Sequence, residues 1–166
     1  MFREGGQPVS LEAVARQAGV GIATFYRHFA SREALAAAVY YREVDELVEL
    51  ADRLASDHDP IAALRIWLRA TVEFVATKKG MAAALALSAR MPADLTAYSS
   101  DRLTGAVERL LNGVTKACRS RGDVSAQDVL RVLVALCYEF DAPDWQIKVG
   151  LLLDAFVDGL CREVPR

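Results

Sequence analysis

The sequence predicts an all-α fold, in which a small N-terminal helix-turn-helix precedes a larger helical bundle. Apolar residues recur at helical spacing through most of the 166 residues, and no convincing strand pattern appears. Serine, proline and glycine residues that cap or break helices divide the chain into segments of helical length. Hydrophobic residues make up 53% of the chain, which is ample for the core of such a bundle. We place the domain boundary at residue 42, and call residues 1–42 the head and residues 43–166 the body.

The first predicted helix begins after Ser10. The hydroxyl of Ser10 is a good N-cap because it can accept a hydrogen bond from an unpaired amide in the first turn. One apolar face then follows at helical spacing, formed by Leu11, Val14, Ala15 and Ala18. Gly19 ends this helix, because glycine adopts the left-handed conformation without steric strain.

The second predicted helix follows Gly21 and carries two aromatic residues on its inner side. Ile22, Phe25 and Phe29 lie within about 60° of each other on a helical wheel, so we expect them to face inward. The side chains left outside are small, polar or basic: Ala23, Thr24, Tyr26, Arg27 and His28. A small residue lets the backbone approach base edges, hydroxyls can donate to phosphates, and arginine can bind a phosphate or guanine. This face therefore predicts DNA binding, and an ordinary surface helix is the alternative.

Six further helices are expected, the first of them capped by Ser31 and shared by the head and the body. They cover residues 32–56, 60–79, 81–89, 94–121, 126–138 and 144–162. The segment 57–59 reads Asp-His-Asp and could in principle bind a metal ion. A turn between helices explains it more simply, since Pro60 suits a first helical position and no second ligand cluster exists. Gly80, after two lysines, is expected to stop the helix that starts at Pro60.

The net charge of −2 is unevenly distributed along the chain. Residues 1–42 hold five arginines against three acidic residues, which gives the head +2 and leaves −4 for the body. DNA phosphates meet only the local field of the head. A basic head on an acidic body is therefore compatible with DNA binding.

Several other classes of protein are excluded by what the sequence lacks. No apolar run approaches a membrane span and the N-terminus does not read as a signal peptide, so we expect a cytoplasmic protein without membrane association. Cys118, Cys137 and Cys161 lack metal-like spacing and are expected to be buried free thiols, with a redox sensor as the alternative. We predict no metal, no cofactor and no enzymatic activity, because neither histidine belongs to a catalytic arrangement and no phosphate-binding loop appears.

Three motifs follow one another in the head: Ala18-Gly19-Val20, Thr24-Phe25-Tyr26-Arg27-His28-Phe29 and Ser31-Arg32-Glu33-Ala34-Leu35. In these motifs the head resembles the DNA-binding domain of TetR-family transcriptional regulators. The resemblance implies DNA contacts from the second helix and its neighbours, made by Ser10, Thr24, Tyr26, Arg27, His28 and Arg32. Ala23 is added to this set by the helical wheel, because its small side chain on the same face lets the backbone approach the bases. Gly21 and Ile22 depart from the family, which commonly has serine or threonine and a polar residue there.

The family begins with a further helix of roughly fifteen residues, and residues 1–6 match only its end. We therefore expect that helix to be largely missing, which would leave part of the apolar face of the head open to water. At about 25 cal/mol per Å², even a few hundred Å² of exposed apolar surface would lower the stability of the head by several kcal/mol. The alternative function follows from this expectation: a dimeric helical small-molecule-binding protein with impaired DNA binding.

The resemblance also implies a ligand pocket and a dimer interface in the body. Residues on helices that the family arranges around a central cavity are Trp67, Phe74, Met81, Leu85, Met91, Tyr98 and Tyr138, and for each of them an ordinary core position is the alternative. The last two helices are apolar on more than one face and would pair with their copies through Leu130, Leu133, Val134, Cys137, Leu152, Phe156 and Leu160. We therefore predict a homodimeric repressor, released from palindromic double-stranded operator DNA by a small apolar or aromatic effector.

Overall fold

A computed structural model describes residues 10–84, 93–118, 123–140 and 142–161 of the chain. Regular structure in these ranges is entirely helical, as predicted. In chain order the helices are α1 (Leu11–Gln17), α2 (Ile22–His28), α3 (Arg32–Asp57), α4 (Pro60–Ala84), α5 (Ala93–Ala117), α6 (Ala126–Glu139) and α7 (Trp145–Leu160). No helix of the described ranges is long and apolar enough to cross a membrane.

The helix-turn-helix forms where the caps predict it. The Ser10 hydroxyl accepts a hydrogen bond from the Ala13 backbone N–H at 3.2 Å and starts α1. Gly19 has a φ of +70°, the left-handed conformation that lets the chain turn from α1 into α2. Gly21 precedes α2 as its N-cap without a side-chain hydrogen bond.

The head has its own small apolar cluster, which we call the head cluster. Its buried members are Leu11, Ala15, Phe25 and Leu35, with Val14, Phe29 and Val39 packed against them. Ile22 was expected to join this cluster, and that expectation is wrong, since Ile22 is 40% exposed while Phe25 is 5% exposed. Among the described residues, the cluster packs against the middle and end of α2 and does not extend to its first turn.

Helix α3 runs from the head into the body. Its first turn is capped by the Ser31 hydroxyl, which accepts from the Ala34 N–H at 3.2 Å. Leu35 belongs to the head cluster, whereas residues from Tyr40 onward pack into the core of the body. Between them, Val39 contacts both the head cluster and the buried pair Ala36 and Met81.

Helix α4 continues past the position where the sequence predicted a stop. It begins at Pro60, where the Asp59 carboxylate accepts from the backbone N–H groups of Ile61 and Ala62 at 3.0 and 3.1 Å. Gly80 lies inside the helix, so the predicted stop is wrong. Met81, the next residue, is buried against Ala36 of α3, and this packing outweighs the weak helix propensity of glycine.

The core of the body is formed by all five long helices. Helix α3 packs along α4 and α5, α4 also packs along α7, and α6 packs on α5 and α7. The largest fully buried side chains come from each of them and include Val44, Leu64, Trp67, Leu110, Leu133 and Leu153. Arg65 and Arg69 of α4 form ion pairs with Asp154 of α7, and Arg65 also pairs with Asp158, which ties the two helices at their outer edge.

Cys118 and Cys161 form a disulfide, which corrects the expectation that all three thiols are free. Their Cα atoms are 5.8 Å apart, and the bond joins the residue after α5 to the residue after α7. Sequence spacing could not reveal this pair, because packing alone brings residues 43 positions apart together. Cys137 is a buried free thiol as predicted. Burial raises its pKa to about 11, although the positive charge of Lys79 acts in the opposite direction.

Candidate nucleic-acid interface and effector region

Helix α2 buries one aromatic side chain and exposes a polar face. Phe25 is buried and its ring lies 5.3 Å from that of the half-buried Phe29, measured between centroids. The residues predicted for DNA contact on this helix are all exposed: Ala23, Thr24, Tyr26, Arg27 and His28. The head therefore presents a contiguous outer surface with hydroxyl, imidazole and guanidinium donors.

Tyr26 is held by a residue of the preceding helix. Its hydroxyl donates a hydrogen bond of 3.0 Å to the Glu12 carboxylate, across the turn between α1 and α2. This hydrogen bond is the main cause that raises the pKa of Tyr26 above 10.0. A hydrogen bond from its own backbone N–H, followed by those from Tyr26 and Ser10, lowers the pKa of Glu12 below 4.5, and the nearby positive charge of Arg32 adds to the effect.

The remaining predicted DNA contacts flank α2. Ser10 is exposed at the start of α1, where its hydroxyl already caps the helix. Arg32 is half-buried at the first position of α3, a 26-residue helix whose N-terminal end carries a partial positive charge. The fold thus places the seven predicted residues on α2 and at the adjoining starts of α1 and α3.

Two predicted pocket residues, Phe74 and Met81, line a narrow cleft between α3 and α4. Val39 and Tyr40 of α3 and Lys78 of α4 also line it, and the Tyr40 and Phe74 rings lie 5.4 Å apart between centroids. Its volume is about 10 Å³, close to the space that one water molecule needs. The cleft is therefore closed in this structure.

Trp67 and Tyr98 lie away from this cleft. Trp67 is 0% exposed in the core, where its indole N–H donates to the Leu47 carbonyl oxygen at 2.8 Å. Tyr98 joins α5 to α3 by donating its hydroxyl to the Asp45 carboxylate at 2.6 Å. These two residues have clear structural roles in this state.

Tyr138 is exposed beside the cleft. The Lys78 ammonium group lies 5.8 Å from the ring centroids of both Tyr40 and Tyr138, so that the two rings flank it. Leu85 and Met91, the remaining predicted pocket residues, lie outside the described residues.

Comparisons with known proteins agree with this arrangement at both ends of the chain. The family model described as "Bacterial regulatory proteins, tetR family" matches residues 1–39. The model described as "Transcriptional regulator SbtR-like, C-terminal domain" matches residues 59–162, which is more than half of the chain.

The chain belongs to the TetR family.

Solved structures support the assignment. The TetR transcriptional regulator SCO0520 from Streptomyces coelicolor is 32% identical with a TM-score of 0.79, over 98% of this chain and 93% of that chain. A TetR transcription regulatory protein from Mycobacterium vanbaalenii is 27% identical with a TM-score of 0.72, over 97% and 88%. The regulator PfmR from Thermus thermophilus, at 16% identity and a TM-score of 0.56 over 95% and 87%, shares the fold. The comparison with curated proteins gives no match. This TetR-family chain is a transcriptional regulator and not an enzyme.

The predicted dimer residues of this TetR-family protein differ in burial. Leu133, Cys137 and Leu160 are buried, Leu130 and Phe156 are half-buried, and Val134 and Leu152 are exposed. The buried three pack inside the core of their own chain, which leaves them no surface for a partner. Of the seven, only the other four keep surface that a partner could contact.

Two of the most exposed apolar side chains of α7 are not among the seven predicted dimer residues, and sequence reasoning missed Ile147 altogether. Ile147 is 69% exposed and Leu151 is 65% exposed. They line a groove of about 440 Å³ between α4 and α7, together with Arg69, Ala70 and Glu73. Their spacing of four residues places them on one outer face of the helix, and this spacing was the available signal.

Proposed function

We propose that this regulator is a homodimeric repressor that acts in the cytoplasm, binds a palindromic operator through α2, and releases it when a small apolar or aromatic effector binds. The polar outer face of α2 is the observation that carries the proposal. Phe25 fixes the helix from within, so that Thr24, Tyr26 and Arg27 stay accessible. A helix of this kind can enter the major groove, with hydroxyls on phosphates and arginine on a phosphate or guanine.

The apolar surface of the last two helices supports the proposed dimer. Val134, Ile147, Leu151 and Leu152 are exposed on α6 and α7, and a second copy of the chain would remove these side chains from water. A two-fold arrangement repeats the same surface on both copies and presents two α2 helices to two half-sites about 34 Å apart.

The cleft between α3 and α4 supports the proposal of effector release. Because the cleft holds only about 10 Å³, a ligand can enter it only if α3 and α4 separate. Helix α3 carries the head, and its residues Val39 and Tyr40 line the cleft. A ligand that binds the opened form better would shift the population toward a different placement of the two heads. The apolar side chains of Phe74 and Met81 suit an apolar or aromatic molecule.

Fluorescence anisotropy tests DNA binding. A library of labelled duplexes containing the intergenic DNA upstream of the gene should yield at least one that binds at nanomolar concentration. Arg27→Ala should weaken that complex about tenfold and reduce the salt slope by about one. Arg53→Ala, an equal change of charge about 30 Å along α3 from its start, is the matched control and should leave affinity unchanged. Equal effects of the two substitutions would contradict recognition through α2.

Sedimentation velocity tests the dimer. The unaltered chain should sediment as a dimer at micromolar concentration, and Leu152→Glu should convert it to a monomer, because a charge cannot be buried unpaired in an apolar interface. Ala55→Glu adds the same charge to an exposed position on α3 and should leave the dimer intact. A monomeric unaltered chain would exclude the homodimer.

Effector release can be tested on the preformed complex with DNA. A panel of small apolar and aromatic compounds should contain at least one that lowers the anisotropy and raises the melting temperature of the free protein. Compounds that stabilise the protein and leave the complex intact would argue against release by an effector.

A further inference from the structure

Glu12 is an acidic residue on a surface proposed to meet DNA phosphates. It lies in the first turn of α1, where an acidic side chain is favoured by the positive end of the helix. Its carboxylate accepts the hydroxyl of Tyr26 at 3.0 Å and lies close enough to Arg32 for that charge to act on it. Our proposal assigns Tyr26 to DNA, and the TetR resemblance implies the same for Arg32.

Helix capping accounts for part of this arrangement, because the Glu12 carboxylate accepts from its own backbone N–H and from Ser10, but it does not account for the hydrogen bond from Tyr26. The N-cap of α1 is Ser10, which already accepts from the Ala13 N–H, and Tyr26 is 14 residues further along the chain. The hydrogen bond joins two helices at an exposed position, outside the buried head cluster. The Glu12 carboxylate therefore engages the donor of Tyr26 in the way that an oxygen of a DNA phosphate would engage it.

We propose that Glu12 acts as an internal substitute for a DNA phosphate, holding Tyr26 in its binding orientation and competing with the DNA backbone for it. The inference rests on the proposed function. A phosphate that approaches the Tyr26 hydroxyl also approaches the Glu12 carboxylate, and the two negative charges repel. Because every duplex presents phosphates, this competition lowers affinity for all DNA, whatever its sequence.

Two substitutions separate orientation from charge. In Glu12→Gln, the amide oxygen can still accept from Tyr26, so that the orientation is kept and the negative charge is lost. In Glu12→Ala, both are lost. We expect Glu12→Gln to tighten binding to a random-sequence duplex of about 30 base pairs by about fivefold per head at low salt, and the gain to shrink as salt screens the charges.

Glu33→Gln is the matched control. Glu33 also lies in the first turn of a helix in the head and is exposed near Arg32, and its pKa is likewise lowered, first by a hydrogen bond from its own backbone N–H and then by one from Ser31. It has no hydrogen bond to Tyr26 in the described part of the chain. Its substitution changes the net charge equally, and we expect an effect below twofold.

The outcomes are distinct, with affinities measured by anisotropy and folding checked by thermal unfolding. Competition predicts tighter binding by Glu12→Gln than by Glu33→Gln, with a smaller gain for Glu12→Ala, which no longer orients Tyr26. Equal gains for the two glutamine variants, or weaker binding by a folded Glu12→Gln, would overturn the role of Glu12 and leave the proposed function standing. If the unaltered chain binds no DNA at low salt, the proposed function fails and this inference fails with it.

Discussion

The disulfide between Cys118 and Cys161 provides a quantitative test of how the body is held together. A disulfide stabilises a fold largely by restricting the unfolded chain, and the restriction grows with the length of the closed loop. For a sequence separation of 43 residues, the chain-entropy relation gives about 4 kcal/mol at 25 °C. For a chain of this size, about 4 kcal/mol corresponds to a fall in melting temperature of roughly 8–16 °C when the bond is reduced.

Thermal unfolding with and without a phosphine reductant measures this difference. In denaturant without reductant, the oxidised chain should show one reactive thiol, that of Cys137, and after reduction it should show three. The double variant Cys118→Ala/Cys161→Ala is the control. Its melting temperature should be close to that of the reduced chain and should not change when reductant is added. Three reactive thiols before reduction, or a melting temperature that the reductant leaves unchanged, would refute the reasoning.

Two further predictions concern the core and the link between α4 and α7. Trp67→Phe should lower the free energy of unfolding by about 1–3 kcal/mol, measured by urea titration, because the buried hydrogen bond to Leu47 and part of the ring volume are lost; an unchanged midpoint would contradict it. For Asp154, burial raises the pKa, but hydrogen bonds from Arg69 and Arg65 outweigh burial and hold the folded pKa below 3.8. A carboxyl group with a lowered folded pKa stabilises the fold above its unfolded pKa and loses this effect as pH falls through the folded pKa. Asp154→Asn should therefore have a lower free energy of unfolding than the unaltered chain at pH 7, and this difference should shrink toward pH 2. A difference that grows in acid would contradict the lowered pKa of Asp154.

The head could be predicted closely because its signals are local. Ser10, Gly19 and Ser31 each act within one turn of the chain, and the bounds of α1, α2 and the start of α3 follow from them. Ile22 shows the limit of the helical wheel. A wheel gives the direction of a side chain, but whether another helix lies in that direction depends on the length and placement of the neighbour.

Features that depend on contacts between distant segments could not be predicted. Helix α4 continues through Gly80 because Met81 is buried against α3. A short sequence window around Gly80 does not include the residues of α3 that make this contact. The same holds for the disulfide.

In the candidate site, too, some features follow from the local sequence and others depend on contacts between distant segments. The exposed residues of α2 follow from one buried phenylalanine, whereas the Glu12 and Tyr26 pair depends on the angle between α1 and α2. In the body, Trp67 and Phe74 have the same helical pattern in the sequence, and only the positions of α3 and α5 decide which of them is enclosed and which lies at a cleft.

Val39 has a consequence for how this chain can vary. Its side chain lies against the head cluster on one side and against Ala36 and Met81 on the other, so that two separately packed regions share one residue. A larger or smaller side chain at 39 changes the fit of both at once. Substitutions at 36, 39 and 81 should therefore compensate one another in volume among functional descendants of this sequence, and a library randomised at these three positions would reveal that covariation.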